Sequence, residues 1–319
     1  MIQFDKNTIG RQAKELGFVR DTFEKVCRLA DVLKFFENDD ILSRCLALKG
    51  GTAINLTIFN LPRLSVDIDL DFSEKISRDE MLEKRPLITE RISKYMSANG
   101  YILSSKSKQH HALDSFVFEY QNAGGMKDNI KIELNYMIRC HILPITRRKV
   151  NLPWLSEELS VLSVAQMEIF ASKIVALLNR TAPRDLYDIH NLLELGLFDE
   201  SEQAMLKKCV VFYSCIGSET VHKEFSFANF EKMPQNKIKT DLLPVLRFGA
   251  YFDLKPAREK VTDYLKELLI LTPQETEFIE LFGKGEYKPE LIFKSDMLKN
   301  ISAHSMAIWK CNKIKENLL

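Results

Sequence analysis

The run Asp67-Ile68-Asp69-Leu70-Asp71-Phe72 alternates acidic and apolar residues without a break. Successive side chains of a strand point to opposite faces, so Val66, Ile68, Leu70 and Phe72 share one face and Asp67, Asp69 and Asp71 the other. That periodicity predicts a β-strand. Its apolar side needs a covering layer, which restricts the chain to folds that pack helices or a second sheet against it. The acidic side poses a different problem. A row of like charges costs electrostatic free energy unless water or a cation relieves it, and hard divalent cations such as Mg²⁺ take oxygen ligands of this kind. The strand alone therefore has two readings, a metal-binding row or the solvated outer face that charge runs usually form.

The segment just upstream favours the first. Lys49 closes the apolar stretch 45–48, and after Gly50-Gly51-Thr52 comes the stretch 53–59, whose apolar spacing suits a short helix. This predicts strand, tight glycine turn, helix. Two glycines let the backbone approach a ligand closely, and free amides at a helix start favour anions such as phosphate. Thr52 adds a hydroxyl and is expected as the N-cap. The pattern is neither GxxxxGK[ST] nor GxGxxG, and a Gly-Gly turn alone is weak evidence. Its weight comes from the pairing. A phosphate-holding turn followed at short range by an Asp-x-Asp strand sets anion and cation sites side by side, as metal-assisted phosphoryl or nucleotidyl transfer requires.

Around this centre, residues 8–38 carry helical periodicity through Phe18, Phe23, Val26, Leu29, Leu33 and Phe36, which predicts a leading helical pair. A helix is expected from Arg78 to Asn99, stopped by Gly100. Strands are expected over 101–105, 115–120 and 130–137, the last two joined by a hairpin at Gly124-Gly125. Beyond 144–153 the texture turns helical. Residues 163–178 and 186–197 read as helices, and Thr272-Pro273-Gln274-Glu275 as an N-cap with proline at the first position and a capping-box glutamate. The predicted class is α+β, with a small mixed sheet and its helices over residues 1–150 and a mostly α-helical domain over 151–319.

The 319 residues can bury one large core or two moderate ones, and 45% hydrophobic with 28% charged residues is ordinary for a soluble globular protein. A net charge of +1 gives no overall attraction to nucleic acid. Any RNA contact must come from local patches, either Arg147-Arg148-Lys149 or Lys106 with Lys108, His110 and His111; each also reads as a solvated basic loop. The six cysteines, at 27, 45, 140, 209, 215 and 311, form no Cys-x-x-Cys and read as reduced packing residues. No targeting segment and no apolar run of about 18 residues is evident, so a cytoplasmic protein without membrane association is expected. His110, His111, His141, His190, His222 and His304 show no metal spacing, and Gly-x-Ser-x-Gly is absent, so neither a zinc site nor a hydrolase triad is expected.

The two motifs resemble the polymerase-beta-like nucleotidyltransferases, and specifically their AbiEii/AbiGii toxin branch. That branch reads Leu-Lys-Gly-Gly-Thr-Ala, here Leu48 to Ala53, then Arg-x-Ser-x-Asp-x-Asp, here Arg63 to Asp69. Glu168 to Lys173, Ala176-Leu177, Arg180 and Pro183 to Ile189 resemble its second block, and Leu271 to Phe278 with Gly285 to Leu291 its C-terminal part. The fourteen residues between Thr52 and Asp67, and threonine after the glycines in place of serine, are ordinary for this branch.

The resemblance implies a polymerase-beta-like nucleotidyltransferase domain and an enzyme that transfers a nucleotide from an NTP. Asp67 and Asp69 would hold two Mg²⁺ ions, and Lys49, Gly50, Gly51, Thr52, Arg63 and Ser65 would bind the nucleotide. Glu133, within Lys131-Ile132-Glu133-Leu134-Asn135, is either the superfamily's third carboxylate or part of an alternating polar strand face. Asp71, one step beyond the usual pair, ranks below it and could simply face solvent. Lys173 and Asp185 correspond to residues regarded as essential in the branch. Lys173 and Arg180 lie seven residues apart, nearly two helical turns, which directs both to one face where they could neutralise a triphosphate or its pyrophosphate. Without the resemblance, the same block is an amphipathic helix with surface salt bridges. With it, the site is expected in a cleft completed by both domains. The implied role is the toxin of a toxin–antitoxin or phage-defence (abortive infection) pair, acting on RNA such as a tRNA 3′ end, with its antitoxin encoded nearby. The alternatives are modification of a protein or small molecule, or a nucleotide-binding interaction module.

Overall fold

The acidic-apolar run sits in the middle of a mixed eight-stranded sheet. The computed structural model describes residues 4–155, 157–217, 221 and 224–318, which leaves His222 outside. The strands are β1 (Leu46–Lys49), β2 (Asp67–Phe72), β3 (Ile102–Leu103), β4 (Lys108–Gln109), β5 (Leu113–Gln121), β6 (Lys127–Asn135), β7 (Thr146–Lys149) and β8 (Ser160–Ser163). They run in the order β3-β5-β6-β2-β1-β8-β7, with β4 also pairing β5. β2 pairs antiparallel with β1 and parallel with β6, so it has a neighbour on both edges.

The sheet belongs to the first of two compact units, residues 1–139, 145–164 and 244–250. Its helices are α1 (Lys6–Leu16), α2 (Arg20–Asn38), α3 (Leu42–Cys45), α4 (Gly50–Ala53) continued by a π-helical turn (Ile54–Ile58), and α5 (Arg78–Ala98). The leading pair forms as the periodicity predicts, and Phe23, Val26, Leu29, Leu33 and Phe36 are all buried. Ser77 and Glu80 close a capping box at the start of α5, and Gly100 follows its end at φ +81°. Ile68, Leu70 and Phe72 of β2 are buried, as are Phe116 and Phe118 of β5 and Ile130, Ile132 and Leu134 of β6. The β5–β6 hairpin pairs from Leu113↔Asn135 to Gln121↔Lys127, and Gly125 takes the positive φ of +82° in its turn.

Two strands depart from the sequence expectation. Arg147-Arg148-Lys149 is not a loop but most of edge strand β7, where Arg147 pairs with Glu37 and Lys149 with Glu158. β8 pairs parallel with β1 through Leu48↔Ser163, and the helix expected from Ser163 begins at Gln166. Four residues are too few for alternation to separate a strand from the helix that follows it. Residues 145–164, on either side of position 150, are thereby part of the sheet-bearing unit.

The second unit, residues 140–144, 165–243 and 251–319, is helical. It comprises α6 (Gln166–Asn179), α7 (Pro183–Glu194), α8 (Glu200–Gly217), α9 (Ala228–Glu231), α10 (Gln235–Lys237), α11 (Leu254–Leu268), α12 (Pro273–Gly283), α13 (Ser295–Ile301) and α14 (Ser305–Leu318). The Thr272/Glu275 capping box opens α12 as expected, with Pro273 at the first helical position. Inside this unit Glu168 is fully buried, accepting from the backbone amides of Ile142 and Leu143 at 2.9 Å and from the Tyr213 hydroxyl at 2.5 Å. Burial raises its pKa despite the opposing charge of His141 and these hydrogen bonds. Among the described residues all six cysteines are free and no helix is long and apolar enough to cross a membrane.

A buried ion pair fastens the hairpin to α2. Glu24, fully buried, accepts from the Ala123 amide at 2.8 and 3.0 Å and pairs with Arg28 at 2.7 Å, while the Arg28 guanidinium stacks 4.2 Å from the Tyr120 ring centroid. Removing one partner of such a pair leaves the other charge buried and uncompensated, so Glu24→Gln is expected to lower the unfolding free energy by about 3 kcal/mol. Urea denaturation would report this as an earlier midpoint.

Candidate active site

The candidate site is built on three neighbouring strands of the first unit. In register, Lys49 of β1 lies opposite Asp69 of β2, which lies opposite Glu133 of β6; Asp67 lies opposite Lys131 and Asp71 opposite Asn135. Directly paired residues share a face. Asp67 and Asp69 are half-buried on that face, while Ile68 and Leu70 between them point into the core.

The glycine turn lies directly beneath Asp69. Gly50 has φ +66°, a conformation that L side chains rarely adopt, and a Cβ at that position would collide with the Asp69 carboxylate. At Gly51 a Cβ would stand 2.9 Å from Arg63 Nη2 and 3.0 Å from Ser65 Oγ. Gly50 is thus required by its backbone conformation and its approach to the acidic strand, while Gly51 packs tightly under the loop that leads into that strand. Arg63 is only 2% exposed and donates to the Leu64 carbonyl at 2.9 Å.

Thr52 is not the N-cap. The entry to the helical turn is made by Gly50, the cap position falls on Lys49, and Thr52 lies inside α4. Its hydroxyl donates to the Asp67 carbonyl and approaches Ser65 Oγ at 3.0 Å, so it ties the turn to the strand. The π-helical turn that follows is a feature often found beside functional sites.

Cations from both neighbouring strands meet the acids. Lys49 Nζ lies 2.5 Å from Asp71, whose side chain is 4% exposed. Asp71 therefore does not face solvent; it is a buried anion compensated by Lys49. Lys131 donates to Glu133 at 2.9 Å. Burial alone would lower the Lys131 pKa, but the Glu133 hydrogen bond and the charges of Glu133, Asp67 and Asp69 outweigh it and hold the ammonium above the usual lysine range. The sequence places Lys131 on this face without giving it a role; the available signal is its i, i+2 spacing from Glu133.

Among the described residues no three His, Cys, Asp or Glu side chains are grouped closely enough to hold a metal ion by themselves. Mg²⁺ does not demand such a cage, because it is commonly held by one or two carboxylates with substrate phosphates completing the shell. Asp67 and Asp69 fit that requirement. They share one strand face, with the Gly50 turn packed against the Asp69 carboxylate, and would be the residues to hold a divalent cation that neutralises phosphate charge.

In the helical unit, Lys173 of α6 meets Asp185 at 2.9 Å and Asp188 at 3.3 Å, and Arg180 grips Asp185 through Nε at 2.7 Å and Nη2 at 3.2 Å. Arg180 stands beyond the end of α6 in an extended conformation. The two cations therefore converge through Asp185 rather than by helical phase. Both carboxylates are buried. Desolvation works to raise the Asp185 pKa, yet the charge of Lys173 and the Arg180 hydrogen bond win, and the carboxyl sits below its ordinary value.

Residues 35–274 match the family model of the AbiEii nucleotidyl transferase toxins of type IV toxin–antitoxin systems. Among solved structures the fold is similar to that of MenT4, a nucleotidyltransferase toxin from Mycobacterium tuberculosis H37Rv, with a TM-score of 0.61 and 16% sequence identity over 87% of this chain and 94% of that chain. At that identity the likeness speaks for the fold alone. No curated protein matches the sequence. Members of the matched family use a nucleoside triphosphate with a divalent metal, and their systems pair the toxin with an antitoxin. Since the family model spans well over half of the 319 residues and covers both motifs, the chain belongs to the AbiEii family and is a nucleotidyltransferase, the toxin of a type IV toxin–antitoxin system.

Proposed function

We propose that this enzyme transfers a nucleotide from an NTP to an RNA acceptor, a tRNA 3′ end being the first candidate, in a reaction that depends on Mg²⁺. The observation that carries the reading is the seating of the Gly50 turn directly against the Asp69 carboxylate, which joins an anion-accepting backbone to a cation-binding strand. An acceptor hydroxyl oxygen attacks the α-phosphorus in line, the bond from that phosphorus to the oxygen bridging to the β-phosphate breaks, and pyrophosphate leaves. Two Mg²⁺ ions would supply activation of the hydroxyl and neutralisation of the leaving charge.

The protein's own groups have distinct tasks in this scheme. Asp67 and Asp69 present their oxygens from one strand face, with Glu133 in register beside Asp69 as third carboxylate or proton acceptor. Backbone amides at Gly50 and Gly51 hold phosphate oxygens. Thr52, Arg63 and Ser65 fix the turn and the loop above it, which keeps the phosphates at a set height over the acids. Lys173, Asp185 and Arg180 serve the same reaction, a reading that rests on their resemblance to the family's second block. The cytoplasm is the compartment that supplies both the triphosphate and the RNA.

Incubation with Mg²⁺, each α-labelled nucleoside triphosphate and total RNA is expected to place label in RNA, in the tRNA size range. Asp69→Ala and Lys173→Ala should each reduce the incorporation at least a hundredfold, in keeping with loss of a group that stabilises the transition state. Label on protein instead, or none with any acceptor, would sink the RNA reading. Expression of the unaltered chain should arrest growth of its host, and the Asp67→Ala form should not.

Gly50→Ala gives a second, geometric test. The αL backbone costs alanine about 1 kcal/mol, and the added methyl must also displace the Asp69 carboxylate. Incorporation should fall as far as in Asp69→Ala while the circular dichroism spectrum stays unchanged; full activity in Gly50→Ala would show that the turn does not position Asp69.

A further inference from the structure

The loop that carries Arg63 and Ser65 into β2 passes through a strained residue. Leu61 has φ +49°, the only positive φ outside glycine among the described residues, and its side chain is fully buried. A left-handed backbone costs an L residue about 1 kcal/mol or more. Such a conformation persists only where its surroundings hold it, and it tends to occur at functional sites.

A segment distant in sequence supplies the hold. Residues 244–250 belong to the sheet-bearing unit, although the chain up to 243 and from 251 belongs to the helical one. The segment runs antiparallel beside the loop: Leu246 bridges to Arg63, and the Leu64 amide donates to the Val245 carbonyl at 2.8 Å. Next along it, the half-buried Arg247 donates through Nη1 to the Leu16 carbonyl at 2.6 Å and through Nη2 to the Leu61 carbonyl at 3.3 Å. Its guanidinium lies 4.7 Å from the Phe18 ring centroid, and the Phe248 amide donates to the Gly17 carbonyl at 2.5 Å.

The bond to Leu16 is a cap on the C-terminal end of α1, where helix carbonyls lack intrahelical partners. Capping needs only one donor. The second reaches the strained Leu61, so one planar fork ties α1 to the loop in a fixed geometry. Further along the same loop, Arg63 and Ser65 crowd Gly51, and the Thr52 hydroxyl approaches Ser65 and donates to the Asp67 carbonyl.

Resting on the reading that the glycine turn and Asp67 with Asp69 hold the nucleoside triphosphate, we propose that Arg247 is a positioning residue for that triphosphate. It fixes the Leu61 carbonyl, and through it the seating of Arg63 and Ser65 over Gly51. Arg247 acts through this loop and not by touching the substrate.

Calorimetric titration of the full-length protein with ATP, GTP, CTP and UTP in Mg²⁺, joined to hydrogen exchange over residues 59–66, tests this role. Arg247→Met keeps an apolar stem against Phe18 and removes both donors. It should weaken the best-bound triphosphate about tenfold, the effect of losing one hydrogen bond from a charged donor, and speed exchange of the loop amides. Arg247→Lys restores a donor and should fall between Arg247→Met and the unaltered protein. Arg91→Met, which removes ion pairs to Asp39 and Asp40 in the same unit, should leave affinity unchanged even where it lowers the urea midpoint as far. Unchanged affinity in Arg247→Met, or in Arg247→Lys if the former does not fold, overturns the positioning role and leaves the triphosphate site standing. Unchanged exchange over 59–66, or an affinity loss matched by Arg91→Met, overturns it as well. No triphosphate binding by the unaltered protein overturns both the role and the site.

Discussion

Three carboxylates on one strand face cannot be buried together without cations, and the sheet meets that constraint from both sides of β2. Lys49 arrives from β1 and compensates Asp71 at the buried end; Lys131 arrives from β6, binds Glu133 and adds its charge near Asp67 and Asp69. Both cations come from the strands directly adjacent to β2, so the electrostatics of the site depend on the strand order. A shift of β1 by one residue would turn Lys49 to the opposite face and leave Asp71 buried without its partner.

The helical unit solves a similar problem with other elements. Asp185 and Asp188 start α7 buried, where unpaired charge would be costly, and Lys173 with Arg180 compensates them. Because the folded Asp185 pKa is depressed, its stabilising contribution is complete above the unfolded value of about 3.9 and is lost as pH falls through the folded value. Lys173 is thereby held in one position by two anions, the condition under which a lysine acts as a fixed charge rather than a mobile one.

Much of this is legible in the sequence because it is local. The period of two in β2, the helical stripe of α2, the Gly100 stop and the Thr272 capping box each need only neighbouring residues to be read. The family motifs likewise mark the glycines and acids as a unit. What stays hidden depends on distant partners. Whether Asp71 faces water or Lys49 is decided by the β1–β2 register, and whether Ser160–Ser163 is a strand is decided by β1 and β7 on either side of it. Thr52 reads as a cap in sequence because the local pattern cannot show that its hydroxyl reaches the Asp67 carbonyl fifteen residues away.

That last bond explains how a turn and a strand separated by a long loop behave as one object. β1 and β2 are already joined as an antiparallel pair, with Lys49 opposite Asp69. The Thr52 hydroxyl adds a link from the turn to the first residue of β2, Ser65 adds another beside it, and the buried Arg63 guanidinium closes over Gly51. The two ends of the intervening segment are thus fixed directly to each other, with Arg63 and Ser65 of that segment taking part in the link. The amides of the turn and the carboxylates of the strand are therefore tied together within the protein itself, and a site held in this way loses little ordering free energy on binding a ligand.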